Sequence, residues 1–396
     1  MHTCKTVKHP FPLDVEPATI SNIFIQQFGQ QPIVVRAPGR INFIGEHTDY
    51  NDGLVLPAAI DREILIAVAL NHTSQCNISS PDLNETHSFS IEDLKPGKSW
   101  INYLQGVMHG IRQIGFSPAG VDVMISGNIP LGAGLSSSAA LCCGFGLAYS
   151  NSFELDLAKL AIAKIAQYAE HHFAGVKCGI MDQYASLFGK KDHALLLDCQ
   201  SLEHELIPFH FPDLQILLID TTVKHSLTDS AYNNRREACE LGVALVSRKH
   251  EARSLRDVSV DMLLDMKEDF PDEIFKRCIF VVKEMERTRL AARFLKQNDI
   301  HQFGRLLYET HNGLSHEYEV SCEESDFLVG LAKENKKVLG ARMMGGGFGG
   351  CTINLVEKSE VLQFTDSVRV KYVATFKKEP EFYSVSITDG VETVSG

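Results

Sequence analysis

The sequence lacks an excess of positive charge, and it has no internal repeat or low-complexity segment. Among its 396 residues, 38 are Lys or Arg and 50 are Asp or Glu, which gives a formal net charge of −12. Nucleic acids and anionic membrane surfaces attract basic patches, so this balance argues against both as partners. A pocket that is positive only locally is compatible with it.

Cysteine pairs with the CxxC spacing are also missing, although Cys142 and Cys143 are adjacent. The ten cysteines are spread along the chain without a CxxC pair, whereas a disulfide framework is typical of short secreted chains. The opening residues, MHTCK, lack the apolar core of a signal peptide. We therefore expect reduced, mostly buried thiols and a cytoplasmic protein.

One long uncharged stretch, residues 123–153, is long enough to span a bilayer. It is rich in Gly, Ser, Asn and Pro, which favours a strand, a loop and a buried helix over a membrane span. The chain is 44% hydrophobic and 22% charged. This composition is typical of a globular protein with a sizeable core.

The chain length suggests two domains. No linker marks a boundary, and we place it near residue 200, which gives domains 1–200 and 201–396. Apolar spacing predicts helices at 17–28 and 154–173 and a long helix at 275–295.

The first motif, residues 37–50, reads APGRINFIGEHTDY. A β-branched run at 33–35 predicts a strand, and the Pro38-Gly39 pair is expected to break it and turn the chain. The polar residues that follow would then lie on a loop held by a sheet, where binding groups are common. Carboxylates and histidine could align with sugar hydroxyls. Taken alone, the loop could equally be a solvated turn with scattered charge.

The second motif, residues 129–140, reads IPLGAGLSSSAA and joins a strand to a helix. Glycines let backbone N–H groups approach an anion, and a helix N-terminus adds unpaired donors. The serines could cap the helix or bind a metal. The motif is neither a Walker loop nor a dinucleotide fingerprint. The alternative is a serine-capped helix after a flexible lead-in.

The third motif, residues 345–351, reads GGGFGGC between apolar strands. So many glycines cost conformational entropy. A close backbone approach to a ligand or to the other glycine loop would account for them. An irregular hairpin is the alternative.

Together these stretches resemble the galactokinase branch of the GHMP small-molecule kinases, and the resemblance covers essentially the whole chain. Residues 39–50 resemble the galactokinase signature, 129–140 the phosphate-binding motif and 344–352 the third family motif. Residues 178–183 and 230–236 are also galactokinase-like.

Two positions depart from the family pattern. Phe43 stands where the signature usually has Leu, Ile or Val, and Cys142 stands where many galactokinases have Glu. The first change keeps an apolar side chain. The second could alter nucleotide affinity without loss of activity.

The resemblance implies an α+β, two-domain GHMP kinase fold with the active site in the cleft between the domains. It implies ATP-dependent phosphorylation of galactose at its anomeric hydroxyl, with Mg²⁺. We expect the protein to be a monomer. One alternative is a related kinase that acts on N-acetylgalactosamine or arabinose. Another is a non-catalytic galactose and ATP sensor. Such sensors have a damaged serine loop, and the intact residues 136–139 favour an enzyme.

By motif position, Asp182 would be the catalytic base and Arg40 its partner. A nearby Arg keeps an Asp ionised and steadies charge on the transferring phosphoryl group. The importance of a base stays open, because phosphoryl transfer depends mostly on positioning and electrostatics. The alternative for Asp182 is a buried, salt-bridged carboxylate.

The resemblance also assigns the sugar site, to Glu46, His47, Thr48, Asp49, Gly179, Asp182 and Tyr232. Carboxylates accept hydrogen bonds from two hydroxyls at once. A site built in this way rejects an epimer because a buried acceptor would be left unpaired.

The nucleotide phosphates are expected on the second motif, at Gly132, Ala133, Gly134, Leu135, Ser136, Ser137 and Ser138. Trp100, Tyr103 and Ser80 would flank the rest of the nucleotide, with Ser79 as the alternative to Ser80. Ordinary core packing is the alternative for the two aromatic residues.

The resemblance places Mg²⁺, a hard cation that prefers oxygen ligands, on Ser138 and Glu170. The alternative for Glu170 is an exposed position near the end of the helix predicted at 154–173.

Overall fold

The computed structural model describes residues 16–223 and 228–394. Its strands are β1 (Ile33–Asn42), β2 (Leu54–Val55), β3 (Pro57–Leu70), β4 (Gln75–Ser80), β5 (Glu85–Ser90), β6 (Val121–Gly127), β7 (His193–Asp198), β8 (His204–Pro208), β9 (Leu214–Asp220), β10 (Val338–Met343), β11 (Cys351–Glu357), β12 (Glu381–Val385) and β13 (Glu392–Val394).

The α-helices are α1 (Pro17–Phe28), α2 (Asn102–Gln113), α3 (Ser137–Ser152), α4 (Lys159–Ala169), α5 (Met181–Phe188), α6 (Thr228–Val246), α7 (Val260–Asp265), α8 (Asp272–Lys296), α9 (Ile300–His316), α10 (Glu323–Glu334) and α11 (Val361–Phe376). A π-helical turn, Glu170–Ala174, continues α4.

The strands form three sheets. The largest has the order β13-β1-β3-β6-β4-β5, and its pairs are antiparallel except for β4 with β6. The second has the order β10-β11-β9-β12, and the third β2-β7-β8. Helix α3 packs across β1 and β3, so the glycine loop before it lies beside the end of β1.

The main apolar core continues across both halves of the chain. It includes Val35 and Phe145 from the first half and Leu218 and Leu355 from the second, all fully buried. The predicted division near residue 200 stays a prediction.

Most of the expected elements are present. Helix α1 has the predicted bounds, because Pro17 fits the first turn and Gly29 ends the helix at a φ of 75°. The long helix α8 extends the prediction by three residues at its start and one at its end. The helix expected from residue 154 begins only at Lys159. The preceding Glu154 and Asp156 have φ values of 52° and 47°, which a helix does not tolerate.

The predicted strand break at Pro38-Gly39 is wrong. Strand β1 continues to Asn42 and absorbs the pair as a β-bulge between Pro38 and Arg40. Bulges bend a strand and redirect the next side chain. A Cβ at Gly39 would lie 2.7 Å from the Leu135 carbonyl oxygen, so the bulge also needs glycine. Arg40 is therefore held by a strand, and only the residues after Asn42 form the loop.

The uncharged stretch at 123–153 forms β6, the second motif and α3, as expected. In the part of the chain that the structure describes, none of the helices combines the length and apolarity needed to cross a membrane.

Candidate active site

Arg40 and Asp182 form a two-pronged ion pair at the centre of the candidate site. The Arg40 Nε donates to Asp182 Oδ1 at 2.7 Å, and Nη2 donates to Oδ2 at 2.8 Å. Its Nη1 donates to the Gly134 carbonyl at 2.6 Å. Burial alone would lower the pKa of Arg40, and the surrounding carboxylates, Asp182 first, raise it above its usual value. Arg40 thus joins β1, the second motif and the first turn of α5.

Ser136 lies at the N-terminus of α3 but does not cap it with its side chain. Its φ is 57°, and its hydroxyl donates to Asp182 Oδ2 instead. The first backbone N–H groups of α3 therefore have no side-chain cap. This arrangement leaves donors at the helix terminus for an anion.

The second and third motifs lie against each other. A Cβ at Gly345 would lie 3.6 Å from the Gly134 carbonyl oxygen, and one at Gly350 would lie 3.6 Å from the Ala133 carbonyl oxygen. The third motif does join two antiparallel strands, β10 and β11. The expected close approach of the two glycine loops is confirmed.

Glu46 links the signature to the third motif. It is 2% exposed, and its Oε1 accepts hydrogen bonds from Arg342 Nη2 at 3.0 Å and from the Gly345 N–H at 2.8 Å. Arg342 is itself fully buried and donates to the carbonyls of Asn42 and Phe43. Sequence reasoning missed Arg342, although a charged residue within an apolar strand next to the glycines was a signal for it.

His47 lies in a cluster of aromatic rings. Its Nδ1 is 2.8 Å from the Tyr50 hydroxyl, which is 2.7 Å from the Tyr318 hydroxyl. Burial and then Arg235 lower the pKa of His47 to about 3, so the ring is neutral at pH 7. The Tyr232 ring lies 5.5 Å from the His47 ring. The structure therefore brings these two predicted sugar-site residues together.

The Thr48 side chain forms hydrogen bonds to backbone groups at the two ends of its own loop. It is fully buried, and its hydroxyl lies 2.9 Å from the Gly45 carbonyl oxygen and 2.7 Å from that of Leu54. These contacts hold the signature loop in shape. Direct binding of the sugar by Thr48 stays a prediction.

Asp49 lies directly against Gly179. A Cβ at Gly179 would overlap the Asp49 carboxylate, so only glycine permits this approach. Burial, followed by the Asp182 charge, raises the pKa of Asp49 to about 7. Two carboxylates that are distant in the sequence therefore share one small region of the site.

Ser138 and Glu170, the expected metal ligands, are also neighbours. The Ser138 hydroxyl is 3.4 Å from Glu170 Oε1, which also accepts a hydrogen bond of 3.0 Å from Gln183. Glu170 is 6% exposed, so the interpretation as an exposed helix residue is wrong. Burial and then Asp182 raise the pKa of Glu170 to about 7.

The predicted nucleotide side chains lie near β4 and β5. Trp100 precedes α2 and donates to Glu85 Oε2 at 2.7 Å. Trp100 and Tyr103 pack half-buried against the main core, so core packing stays an alternative for both. Side chains alternate along a strand, so Ser80 shares a face with Cys76, whose sulfur contacts α2 at Met108. Ser80 rather than Ser79 is therefore on the α2 side.

Another carboxylate, Glu284 of α8, holds the signature loop from behind. It is fully buried and accepts hydrogen bonds from the Gly45 N–H at 2.9 Å, from Thr310 and from Arg287 Nε at 2.7 Å. No sequence pattern distinguishes Glu284, because it is one of many charged residues on a long helix.

Comparisons with known proteins agree with this geometry. A model of the galactokinase galactose-binding signature matches residues 22–70, and models of the N-terminal and C-terminal GHMP kinase domains match 102–190 and 291–374. A galactokinase from Thermotoga neapolitana is 42% identical over 360 residues, which cover 91% of this chain and 99% of the relative. The chain belongs to the galactokinase family. A galactokinase from Roseiflexus sp. is 39% identical, over 94% of this chain and 95% of the relative.

Solved structures extend the comparison. Lactococcus lactis galactokinase complexed with galactose has a TM-score of 0.91 and 32% identity, and it covers 95% of this chain and 99% of its own. The mevalonate kinase of Methanococcus jannaschii, at a TM-score of 0.63 and 18% identity, shares the fold. The chain thus has the two-domain GHMP kinase fold that its motifs predicted.

The structure accommodates both departures from the galactokinase pattern. Phe43 is fully buried and lies with its ring 4.6 Å from that of Phe209 and 5.7 Å from that of Phe303. Cys142 is fully buried within α3, and burial, followed by Glu170, raises the pKa of its thiol. An aromatic cluster therefore fits the larger side chain, and a neutral thiol occupies the second position.

Proposed function

We propose that the chain is a galactokinase, which transfers the γ-phosphoryl group of ATP to the anomeric hydroxyl of D-galactose and forms galactose 1-phosphate and ADP. The Arg40–Asp182 pair carries the proposal. It lies where the second motif meets α5, and Asp49 of the signature loop is close enough to Asp182 to shift its own pKa. The galactokinase relatives support the same substrate and reaction.

Asp182 would accept the proton of the anomeric hydroxyl. Its side chain is 24% exposed, so a substrate can reach it, and Arg40 and Ser136 fix its orientation. Each carboxylate oxygen has two lone pairs, so these bonds leave room for the substrate. Arg40 would also stabilise charge on the transferring phosphoryl group.

Glu46, His47, Asp49 and Tyr232 would bind the sugar hydroxyls. Neutral His47 uses Nδ1 with Tyr50, and a hydrogen bond to the Gly346 backbone connects its ring to the third motif. Gly179 would contribute by admitting the Asp49 carboxylate.

The nucleotide would bind to the second motif. The backbone N–H groups of residues 132–138 and the uncapped terminus of α3 would hold its phosphates. Trp100, Tyr103 and Ser80 would lie beside the remainder of the nucleotide.

Ser138 and Glu170 fit a Mg²⁺ ion, because they offer two oxygen ligands and a buried carboxylate without a cationic partner of its own in the described residues. Over the same residues, no group of three or more His, Cys, Asp or Glu side chains could hold a metal. Mg²⁺ commonly completes its shell with phosphate oxygens and water. When bound, it would offset the charge of the transferring phosphates.

A cytoplasmic monomer stays our expectation. Every cysteine from Cys76 to Cys351 is free, which fits a reducing compartment. Sedimentation equilibrium would test the oligomeric state.

ADP release from MgATP tests the proposed function, with galactose, glucose, N-acetylgalactosamine, arabinose and mevalonate supplied separately. We expect release with galactose alone. Release with another sugar would mean that the chain phosphorylates a different substrate from galactose, within the same kinase family. No release, together with measurable galactose binding, would mean that the chain is a sensor.

A further inference from the structure

A positively charged cleft lies between α8, α9 and α10, outside the proposed active site. Its volume is about 360 Å³, within the range of small-molecule sites. Four cationic side chains and two carboxylates line it, namely Lys283, Arg287, Arg305, Lys333, Glu309 and Glu317. The chain as a whole has a net charge of −12, whereas the side chains that line this cleft carry a net positive charge.

The cations of the cleft are weakly engaged within the protein. Lys283 lies 3.6 Å from Glu317 and Arg305 lies 3.5 Å from Glu309, and all four side chains are at least one third exposed. Ion pairs of this kind contribute little. Lys333 lies over the Tyr308 ring at 5.6 Å.

Arg287 is the exception, because it is largely buried. Its Nε binds Glu284, and its Nη2 has no hydrogen-bond partner in the described chain. A buried guanidinium nitrogen without an acceptor is costly. Nη2 is closed to solvent, so an oxyanion in the cleft would supply the acceptor once the Arg287 side chain turns toward the cleft. Guanidinium groups match phosphate oxygens in geometry.

The guanidinium group of Arg287 also connects the cleft to the signature loop. Glu284 is fully buried, and it holds both Arg287 Nε at 2.7 Å and the Gly45 N–H at 2.9 Å. Gly45 directly precedes Glu46 of the signature. An anion that draws Arg287 toward the cleft would leave the buried Glu284 charge less well balanced.

We propose that this cleft binds a phosphate-bearing small molecule and that the bound anion weakens galactose binding through Arg287 and Glu284. The effect on galactose rests on the proposed function, whereas the binding of phosphate does not. The phosphate group could belong to inorganic phosphate, a sugar phosphate or a nucleotide, and all three share the recognised chemistry.

Binding is tested by thermal unfolding of the chain saturated with Mg²⁺ and a non-hydrolysable ATP analogue, which occupies the second motif. Inorganic phosphate, galactose 1-phosphate and ADP are added separately. We expect at least one of them to raise the Tm of the wild type but not that of the double variant Arg305→Gln/Lys333→Gln. The control, Arg289→Gln/Lys296→Gln, removes two exposed charges of α8 that do not line the cleft.

Coupling is tested by calorimetric titration of galactose with and without the anion that binds. We expect the galactose Kd to rise about fivefold, the lower end of typical coupling between sites, in the wild type and the control but not in the cleft variant. Equal Tm shifts in all three proteins would overturn the site. A cleft-dependent Tm shift with an unchanged galactose Kd would overturn the coupling. If the anion binds in the cleft and galactose binds nowhere, the proposed function alone has failed.

Discussion

Arg40 and Asp182 are 142 residues apart in the sequence, yet they are joined by two hydrogen bonds, of 2.7 and 2.8 Å. The bulge in β1 aims the arginine, and the first turn of α5 presents the carboxylate. Both groups are thus fixed by regular structure before a substrate arrives. Catalysis of phosphoryl transfer depends on such positioning.

The substitution Asp182→Asn should therefore impair turnover more than binding. It keeps the shape of the side chain but removes the proton acceptor, and general base catalysis typically contributes about 10²–10⁴-fold. We expect kcat to fall within that range while the Kd values of galactose and of the ATP analogue change little. Steady-state kinetics and calorimetry measure the two effects. Turnover equal to that of the wild type would exclude Asp182 as the base.

The substitution Gly179→Ala should raise the galactose KM, because a methyl group would displace the Asp49 carboxylate. We expect a change of about tenfold, which corresponds to about 1.4 kcal/mol. The matched control is Gly330→Ala in α10, where an added Cβ meets no atom within 4 Å. It should leave KM unchanged and stabilise the helix by up to about 1 kcal/mol. Equal KM values for the two variants would contradict the role of Gly179.

Local sequence patterns predicted much of this architecture, because they report on local chemistry. Proline and glycine marked the ends of α1, and apolar spacing located α8. The three motifs and the stretch 178–183, read together, indicated the family and predicted that Arg40, Asp182 and the glycine loops share one site. The Pro38-Gly39 break was wrong because pairing with β3 on both sides of the bulge keeps the strand intact.

Glu170 should make stability depend on pH in the absence of Mg²⁺. The unfolded chain loses the Glu170 proton near pH 4.5, whereas burial and Asp182 raise the folded pKa to about 7. Between these values the folded state binds the extra proton, so stability falls as pH rises. The contribution is at most about 3 kcal/mol for a shift of this size and is complete above pH 7.

Urea unfolding of the wild type and of Glu170→Gln, from pH 4.5 to 8 without metal, measures this contribution. We expect the free energy of unfolding of the wild type to decline relative to the variant as pH rises. The control is Glu268→Gln. This residue lies in a 3₁₀ turn, Lys267–Asp269, in which no residue is buried. A constant difference between the wild type and Glu170→Gln would mean that Glu170 ionises normally.

The contacts that sequence reasoning missed depend on tertiary structure. Arg342 and Glu46 are 296 residues apart, and Glu284 and Gly45 are 239 apart. Nothing in the spacing around either residue pairs it with a distant partner. Thr48 illustrates the same limit, since its motif position suggests the sugar but its hydroxyl faces two backbone carbonyls.

The buried Arg342–Glu46 ion pair should contribute strongly to the free energy of unfolding. Both side chains are at most 3% exposed, and removal of one partner leaves an unbalanced buried charge, which typically costs about 3–5 kcal/mol. We expect Arg342→Met and Glu46→Gln each to lower the free energy of urea unfolding by about that amount. The double variant should lose less than the sum of the two single losses, by about 1–3 kcal/mol, because the residues interact directly.

The surface pair Lys296–Glu205 is the control, since its side chains are 44% and 56% exposed. The substitutions Lys296→Met and Glu205→Gln together should change the free energy of unfolding by less than about 1 kcal/mol. Strict additivity at Arg342 and Glu46 would contradict the pairing and would mean that the two residues support the signature loop independently.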